Sequence, residues 1–580
     1  MTKSRNQILK YGLIAVMGII VFRLFWIQIV EHDEWAAKAV AQQTMRTTIK
    51  AKRGEIYMMD GSEPKVVAMN ETVWTVIVDP KISDHDEVEK AVMDTVSDKV
   101  TADWSKVWAN PNSRYAVVAK NVTRAGAEAL AGKEVTGIWL QEGTKRVYPE
   151  GELASTVLGF VNADGEGQYG VEGSLNKELT GEDGLLKTVK DINNVALSIG
   201  SDNVKMPAKD GDNIVLTLDR NLQNTVEWIL ATETPKLGKD HSSAVVLDPQ
   251  TGKVLAMANY PGYDPANYGQ VKSAEAYKNG VLEDPYEPAS VCKTFAFAAA
   301  INEGVMTPES TYTNTGSVMV DGWEIKNAEQ GAVTKGTIPM QLALNYSLNT
   351  GSIQALRWLG GNANAITQSG REKLYDYYHN KFGLGAYTGI ELREAAGLLT
   401  EPNASGVGGL NATYANMTFG QNMQTTMIQV AAAFASVVNG GKYYTPTMVA
   451  GKMVNGKYVE NETKAAARQT VSESTSAQMR EMLYGTRKAW RAAGVDTAGY
   501  YVGGKTGTAQ TIKDGKYQSD ETVATYIGYG GTEGELPSYV IMVRIWKEGT
   551  YTDGQKQALP LFNALKNPVQ DYLRVRPKGA

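Results

Sequence analysis

The stretch Tyr286-Glu287-Pro288-Ala289-Ser290-Val291-Cys292-Lys293 contains the pattern S-x-x-K, from Ser290 to Lys293. Pro288 precedes the serine and an alanine-rich run follows to Gly304, which predicts a helix that begins at Ser290. Residues three apart share one face of a helix, so the Lys293 amine would lie beside the Ser290 hydroxyl. The helix N-terminus would also offer backbone N–H groups to a developing oxyanion. The stretch is therefore a candidate for a serine nucleophile with a lysine beside it.

A second pattern, S-x-N, occurs at Ser347-Leu348-Asn349 and is predicted to lie on a loop between two helices. Such a serine would relay a proton while the asparagine binds a substrate amide, and a plain connecting turn is the other interpretation. Neither pattern is specific alone, because S-x-x-K also matches residues 62–65 and 174–177 and S-x-N also matches residues 174–176 and 201–203.

The third pattern, Lys505-Thr506-Gly507, occurs once and lies on a β-type run. Gly503, Gly504 and Gly507 have no side chains that would block an extended peptide along this strand. A bulge or a tight bend of the sheet is the alternative reason for these glycines.

The surrounding patterns predict an α+β domain with a mixed-order central antiparallel sheet flanked by helices. Residues 244–247 and 254–258 are β-rich runs on either side of Asp-Pro-Gln-Thr-Gly at 248–252, which predicts a hairpin that opens a new domain. Helical patterns dominate residues 290–440. Strand-like runs return at residues 501–510, 522–529 and 539–545, and a last helix is predicted near residues 558–573. Strands at both ends of the domain would thus close one sheet.

The N-terminus predicts a membrane anchor at residues 11–30, a mostly apolar run long enough to span a bilayer. No small-x-small cleavage site follows it, which argues against a cleaved signal peptide. Lys3, Arg5 and Lys10 precede the run, so the positive-inside rule predicts a cytoplasmic tail at 1–10 and an extracytoplasmic remainder. Arg23 and Gln28 lie within the run, either reaching the headgroups or contacting a partner membrane protein. A β-rich, elongated pedestal is predicted at 31–236 and the catalytic domain at 237–580.

The composition excludes several classes of function. The chain has 580 residues with 58 basic and 63 acidic side chains, so no global basic field is available for nucleic acid. One cysteine excludes an intramolecular disulfide and a thiolate metal cluster, and the four histidines form no HExxH pattern. No metal or cofactor is predicted. The single cysteine, Cys292, is predicted to be buried and inert because the helix turns it away from the face of Ser290 and Lys293.

The three patterns become specific when their order and spacing along the chain are considered together. Only the set Ser290, Ser347 and Lys505 places S-x-x-K, S-x-N and K-T-G in that order in one domain, which is the motif set of penicillin-recognising serine enzymes. The chain resembles the class B penicillin-binding proteins, which are membrane-anchored peptidoglycan transpeptidases. The further matching segments are Tyr286-Glu287-Pro288-Ala289-Ser290, Phe419-Gly420-Gln421, Lys505 to Gln510 and, in the pedestal, residues 53–56, 146–149, 158–161 and 170–173. Met58-Met59 and Ala289 depart from the family's usual residues, a glycine in the second case.

The resemblance implies a role for each site residue. Ser290 would attack the D-Ala-D-Ala carbonyl of a stem peptide with help from Lys293, and Ser347 would carry the proton to the leaving D-alanine. Asn349 would hold a substrate amide, and Lys505 would supply a cation beside Lys293 and Ser347. Thr506 and Thr508 would bind the terminal carboxylate, on a substrate-binding strand that includes Gly507, and the N–H groups of Ser290 and Thr508 would form the oxyanion hole. A β-lactam would acylate Ser290.

The implied role is septal cross-linking, with a SEDS-family glycosyltransferase and other cell-wall synthesis membrane proteins as partners. An elongation-type transpeptidase with the same chemistry is the first alternative. The second is a β-lactam-binding sensor or a β-lactamase of the same superfamily, and the third is a non-catalytic scaffold. The long pedestal argues against the second, and the intact motif residues argue against the third.

Overall fold

The computed structural model describes residues 2–189, 204–328, 335–405, 408–490, 494, 496–513 and 516–579. These residues form two compact units. The first consists of Met1–Gly54 and Thr180–Asp212, and the second of Glu55–Leu179 and Asn213–Ala580.

The first unit contains the apolar N-terminal helix. The α-helix Thr2–Phe25 continues as the π-helix Trp26–Val30, and a second helix covers His32–Gln43. Ser4–Val30, with 27 residues, is long and apolar enough to cross a membrane and fits a membrane anchor. Three antiparallel strands complete the unit, in the order Thr44–Ile49, Gly184–Val189 and Val204–Met206.

In the second unit, a seven-stranded sheet combines strands from residues 56–147 with strands from residues 213–219 and 449–460. Its strands run in the order Lys457–Glu460, Val449–Val454, Asn213–Asp219, Ile56–Asp60, Glu63–Val78 and Ala116–Val122, and Ile138–Val147 also pairs with Glu63–Val78. Asn213–Asp219 lies parallel to Ile56–Asp60, and the other neighbouring strands of this sheet are antiparallel. The sheet thus contains strands from both sides of the domain boundary predicted between residues 236 and 237. That boundary stays a prediction. Met58, one of the departures from the family pattern, is fully buried in the core beside this sheet.

Short helices and turns accompany this sheet. The helices are His85–Val96, Ser97–Lys99, Trp104–Trp108, Arg124–Ala131, Ser155–Leu158, Gly170–Ser174 and Asn176–Thr180. A two-stranded ribbon pairs Phe160–Val161 with Gly167–Gln168.

A five-stranded antiparallel sheet forms the centre of the catalytic part. Its order is Val254–Tyr260, His241–Leu247, Tyr539–Trp546, Lys516–Thr532 and Tyr500–Lys513. The hairpin predicted around residues 248–252 and the three later strands are therefore present, and sequence-distant strands close the sheet as predicted.

Helices cover both faces of this sheet because its strands are apolar on both sides. Along His241–Leu247, Ala244 and Val246 pack into one core while Val245 and Leu247 pack into another. The first core includes helices Arg220–Lys236 and Leu559–Tyr572, and the second includes Lys293–Asn302, Met427–Val438 and Glu473–Lys488. Alternating side chains of a strand point to opposite faces, which is why one strand serves two cores.

Two hairpins interrupt the stretch for which helical patterns were predicted. Thr311–Asn314 pairs with Gly336–Pro339, and Ser317–Val320 pairs with Trp323–Lys326. The remaining elements among the described residues of the second unit are the helices Pro265–Gln270, Ala274–Tyr277, Ala289–Cys292, Met340–Asn345, Asn349–Leu359, Gln368–Tyr375, Asp376–Lys381, Leu410–Met417 and Gly554–Ala558, and the strand pair Lys442–Tyr443 with Arg468–Gln469.

Candidate active site

Ser290 lies in the turn that begins the central helix of the catalytic part. The 3-10 turn Ala289–Cys292 leads directly into the α-helix Lys293–Asn302. Ala289 adopts a left-handed backbone with φ of 54°, which an alanine rarely adopts. Its N–H donates to the carbonyl of Gly420 at 3.1 Å, and a Cβ on Gly420 would collide with the Ala289 backbone. The Phe419-Gly420-Gln421 turn therefore fixes the backbone beside Ser290. The helix predicted to begin at this serine begins with a 3-10 turn, which is tighter than an α-helix.

Lys293 joins the two serines of the predicted site. Its Nζ lies 2.8 Å from Ser290 Oγ, 3.1 Å from Ser347 Oγ and 2.7 Å from the Ser347 carbonyl oxygen. The Lys293 side chain is fully buried. All three neighbours are oxygens that accept from this group, and a neutral amine, which has a lone pair, could instead accept from the Ser290 hydroxyl.

Ser347 connects Lys293 to Lys505. It lies between helices Met340–Asn345 and Asn349–Leu359, as predicted, and has a left-handed φ of 56°. Lys505 Nζ donates to Ser347 Oγ at 2.9 Å and to the Thr506 carbonyl at 3.2 Å. Ser290, Lys293, Ser347 and Lys505 thus form one continuous chain of polar contacts.

Burial lowers the pKa values of both lysines. Lys293 loses hydration and also lies near the Lys505 cation, so its pKa falls well below the usual range. Burial alone lowers the pKa of Lys505 to about 7. Lys293 is subject to both effects, and both favour its neutral form.

The cleft above Ser290 has a volume of about 400 Å³. The predicted residues Ser290, Ser347, Asn349, Thr506 and Thr508 all line it. Asn349 Nδ2 donates to the Lys326 carbonyl at 2.8 Å, and Thr508 Oγ1 accepts from the N–H of Gly554 at 3.0 Å. Sequence analysis did not find the other lining residues, among them Tyr346, Trp490, Tyr551, Asp553 and Gln555. No short motif marks them, because they come from separate loops.

The glycines of the Lys505 strand are explained by packing inside the protein. A Cβ on Gly503 would meet the Tyr529 ring at 2.5 Å, and one on Gly504 would meet the Tyr526 hydroxyl at 2.5 Å. A Cβ on Gly507 would meet Thr525 Oγ1 at 2.4 Å and the Pro288 carbonyl at 2.9 Å. Internal packing therefore accounts for these glycines. That an extended peptide lies along this strand, which is an edge strand of the sheet, stays a prediction. Gly507 lets the strand approach the turn before Ser290 closely.

Cys292 is fully buried, as predicted. Burial raises the pKa of its thiol far above the usual range, which disfavours the thiolate. Among the described residues, no group of three or more His, Cys, Asp or Glu side chains could hold a metal ion.

The pedestal motifs meet in a buried ion pair that sequence analysis missed. Arg146 Nε donates to Glu172 Oε1 at 2.7 Å, and Arg146 Nη1 donates to Asn70 Oδ1 at 3.1 Å. The Arg146 side chain is 4% exposed and that of Glu172 is not exposed. No local spacing indicates this contact between residues of two different motifs.

Comparison with known proteins decides the family. The sequence model of the penicillin binding protein transpeptidase domain matches residues 242–566, and that of the penicillin-binding protein dimerisation domain matches residues 48–216. The chain belongs to the class B penicillin-binding proteins. The predicted family, the α+β fold and the serine transpeptidase class are thereby confirmed, and inhibition by β-lactams is characteristic of this family.

Named relatives support the assignment over nearly the whole chain. Stage V sporulation protein D of Bacillus subtilis is 30% identical over 97% of this penicillin-binding protein and 86% of its own length. Peptidoglycan D,D-transpeptidase FtsI of Escherichia coli is 27% identical over 97% of this chain and 91% of its own. The crystal structure of penicillin binding protein 2X from Streptococcus thermophilus has the same fold, with a TM-score of 0.70 and 24% identity over 91% of this chain and 80% of that one.

Proposed function

We propose that this penicillin-binding protein is a septal peptidoglycan D,D-transpeptidase whose acyl-enzyme forms on Ser290. The observation that carries the proposal is the 2.8 Å contact of Ser290 Oγ with the buried Lys293 amine at the floor of the cleft. The relative named peptidoglycan D,D-transpeptidase FtsI supports the reaction and its substrate. The septal role is our inference from the family resemblance. An elongation-type enzyme would have the same chemistry in another complex.

The first step is attack on the penultimate carbonyl of a stem peptide. The neutral Lys293 amine accepts the Ser290 proton as Oγ bonds to the carbonyl carbon. The N–H groups of Ser290 and Thr508 stabilise the oxyanion that forms. Thr506 and Thr508 bind the terminal carboxylate, and Asn349 holds the amide on the other side of the reacting carbonyl.

The second step transfers the proton to the leaving group. Ser347 Oγ lies within hydrogen-bond distance of both Lys293 and Lys505, so its own hydroxyl proton is free for the departing nitrogen of D-alanine. Lys293 then returns its proton to Ser347. The amine of a second stem peptide attacks the acyl-enzyme by the same route in reverse, and a cross-link results.

We also propose the orientation and the partners. Lys3, Arg5 and Lys10 precede the anchor, and the positive-inside rule favours a cytoplasmic N-terminus with the catalytic part outside. A SEDS-family glycosyltransferase would supply the glycan strands to be cross-linked, next to other membrane proteins of cell-wall synthesis.

Labelling of the full-length chain in detergent by a fluorescent penicillin tests the chemistry. We expect covalent label on the wild type and on Cys292→Ala, no label on Ser290→Ala, and release of label only over hours. Label that persists in Ser290→Ala would refute the assigned nucleophile. Release within minutes would identify a β-lactamase instead.

Co-purification from membranes tests the partner. We expect a SEDS-family protein to be retained by the full-length chain and lost when residues 2–30 are replaced by an unrelated membrane helix. Retention by the replaced helix would contradict a contact through the anchor.

A further inference from the structure

The helix Glu473–Lys488 ends beside the turn that carries Ser347. Thr486, in its last turn, has its hydroxyl 3.1 Å from Asn345 Oδ1, which is within hydrogen-bond distance. Asn345 stands two residues before Ser347, and both Asn345 and Thr486 are buried. The C-terminal end of this helix is therefore joined to the turn whose serine accepts a hydrogen bond from Lys505.

Arg487, the next residue of the helix, contacts the pair of strands that carries Lys505. Its Nη1 donates to the hydroxyl of Tyr526 at 3.3 Å, and Tyr526 stands opposite Thr506 in the sheet. A Cβ on Gly504 would meet the same hydroxyl at 2.5 Å, so Tyr526 packs against the residue that precedes Lys505. The Arg487 side chain is 1% exposed, which confines its effects to neighbours inside the protein.

Arg487 also binds the segment that leads into the Lys505 strand. Its Nε donates to one oxygen of the Asp496 carboxylate at 2.7 Å, and its Nη2 donates to the other at 2.9 Å. Asp496 precedes the strand Tyr500–Lys513 by four residues. A guanidinium that donates to both oxygens of a carboxylate fixes the direction of the contact as well as its length. Lys566 lies 3.2 Å from the same carboxylate, so Asp496 keeps a cationic neighbour when Arg487 is changed.

We propose that Arg487 is a positioning residue, which keeps the Lys505 strand and the Ser347 turn at the separation that the hydrogen bond from Lys505 to Ser347 needs. Its helix end contacts both segments, yet Arg487 itself is absent from the residues that line the catalytic cleft. It therefore acts on the reaction through the position of Lys505. The inference rests on the proposed function, in which Ser347 passes a proton between Lys293 and the leaving group.

A purely stabilising role for Arg487 is the alternative. In that case, loss of the contact would lower the fraction of folded molecules but leave each folded molecule as reactive as before. Positioning instead predicts slower acylation of each folded molecule, and only while Lys505 is present to be positioned. The rate constant of acylation, taken from the time course, does not depend on how many molecules are folded and so separates the two roles.

The variants Arg487→Lys and Asp496→Asn test the inference in the full-length chain in detergent. Lysine keeps a cation beside Asp496 but lacks the planar fork that donates to Asp496 and Tyr526 together, and asparagine keeps the size of the carboxylate without its charge. We expect each variant to slow acylation by a fluorescent penicillin about tenfold, because small displacements of positioned groups cost large factors in rate. Two variants on opposite sides of the contact keep the test decisive when one of them fails to fold.

The same substitutions are then made in Lys505→Met, and labelling is followed over hours. In that background, Arg487→Lys and Asp496→Asn should change the rate constant by less than about twofold, because the side chain that they position is gone. The matched control is Arg146→Lys, which alters the buried arginine–glutamate pair of the pedestal and should keep the wild-type rate constant.

Wild-type rate constants in both variants would overturn the inference. So would an equal loss with and without Lys505, since Arg487 would then act by another route, or an equal loss in Arg146→Lys, since any disturbed buried arginine would then suffice. These results would leave the proposed function intact, because penicillin still acylates the wild type. Failure of penicillin to label the wild type would overturn the proposed function and the inference together.

Discussion

The catalytic part and the pedestal each bury a pair of ionisable side chains. Both members are basic in the catalytic part, whereas the pedestal pairs a basic with an acidic side chain. Lys293 and Lys505 are at most 1% exposed, and both contact the hydroxyl of Ser347. The side chains of Arg146 and Glu172 are 4% and 0% exposed, and these two residues contact each other directly. Like charges in a medium of low polarity make each other's protonated form costly, whereas opposite charges offset part of the cost of burial.

We expect the lysine pair to serve the reaction and the arginine–glutamate pair to stabilise the fold. Burial and the neighbouring Lys505 favour the neutral form of Lys293, an amine that can accept a proton. The arginine–glutamate pair yields no such group, and removal of Arg146 alone would take one buried partner from Glu172. Four predictions test this contrast.

The largest effect is expected from Lys293→Met. Without the amine, no group accepts the Ser290 proton, so the rate of acylation by penicillin should fall about a thousandfold. The free energy of unfolding should not fall, because an apolar side chain of similar length replaces a buried amine. Stopped-flow acylation and urea unfolding of the full-length chain measure the two quantities. An acylation rate within tenfold of the wild type would contradict the assigned base, and Lys278→Met is the exposed control.

Arg146→Met should have the opposite profile. It leaves the Glu172 carboxylate buried without this partner and should lower the free energy of unfolding by about 3–5 kcal/mol. Penicillin acylation per folded molecule should stay at the wild-type rate. The double variant Arg146→Met/Glu172→Gln should recover much of the stability, since neither charge remains. A double variant as unstable as the single one would show that the pair is not the cause.

The pH profile of acylation distinguishes the two pairs further. Lys293 acts as the neutral amine, so below its lowered pKa the rate should fall about tenfold for each pH unit. Lys505→Met removes the neighbouring cation, so the pKa of Lys293 should rise and this decline should begin at higher pH. Arg146→Met/Glu172→Gln should leave the profile unchanged. A profile that does not move in Lys505→Met would contradict the electrostatic coupling of the lysines.

The smallest effect is expected where alanines adopt strained backbone in both regions. Ala289 beside Ser290 and Ala154 in the pedestal have φ of 54° and 55°, and both are buried. Substitution by glycine relieves about 1 kcal/mol of strain and loses about 0.8 kcal/mol of methyl burial. Both variants should therefore remain near the wild-type free energy of unfolding. A loss of more than about 2 kcal/mol in either would show that the methyl group matters more than the backbone.

The sequence predicted the catalytic site better than the pedestal, for a physical reason. S-x-x-K, S-x-N and K-T-G are local patterns whose spacing on a helix, a turn and a strand already restricts where Ser290, Ser347 and Lys505 point. The strands of the five-stranded sheet were also predicted, because their apolar runs are long and bounded by turns. The roles of the individual site residues remain proposals.

Contacts between segments that are far apart in the chain could not be predicted from the sequence. Nothing local indicates that Val449–Val454 joins the sheet of Ile56–Asp60, or that Arg146 meets Glu172. The packing reason for the glycines around Lys505 could not be predicted, because the rings of Tyr526 and Tyr529 come from the neighbouring strand. The hairpin Trp323–Lys326 was missed since its strands have only four residues each.

The order of the five-stranded sheet has a consequence for how the enzyme is made. Tyr539–Trp546, its last strand in sequence, is its middle strand, between the hairpin of His241–Leu247 and the hairpin that contains Lys505. A ribosome that makes the chain from its N-terminus releases this strand late, and until then the two hairpins have no common partner. We therefore expect the sheet to fix Lys505 beside Ser290 only once this strand has been made. A chain cut before residue 539 should lack an assembled catalytic centre.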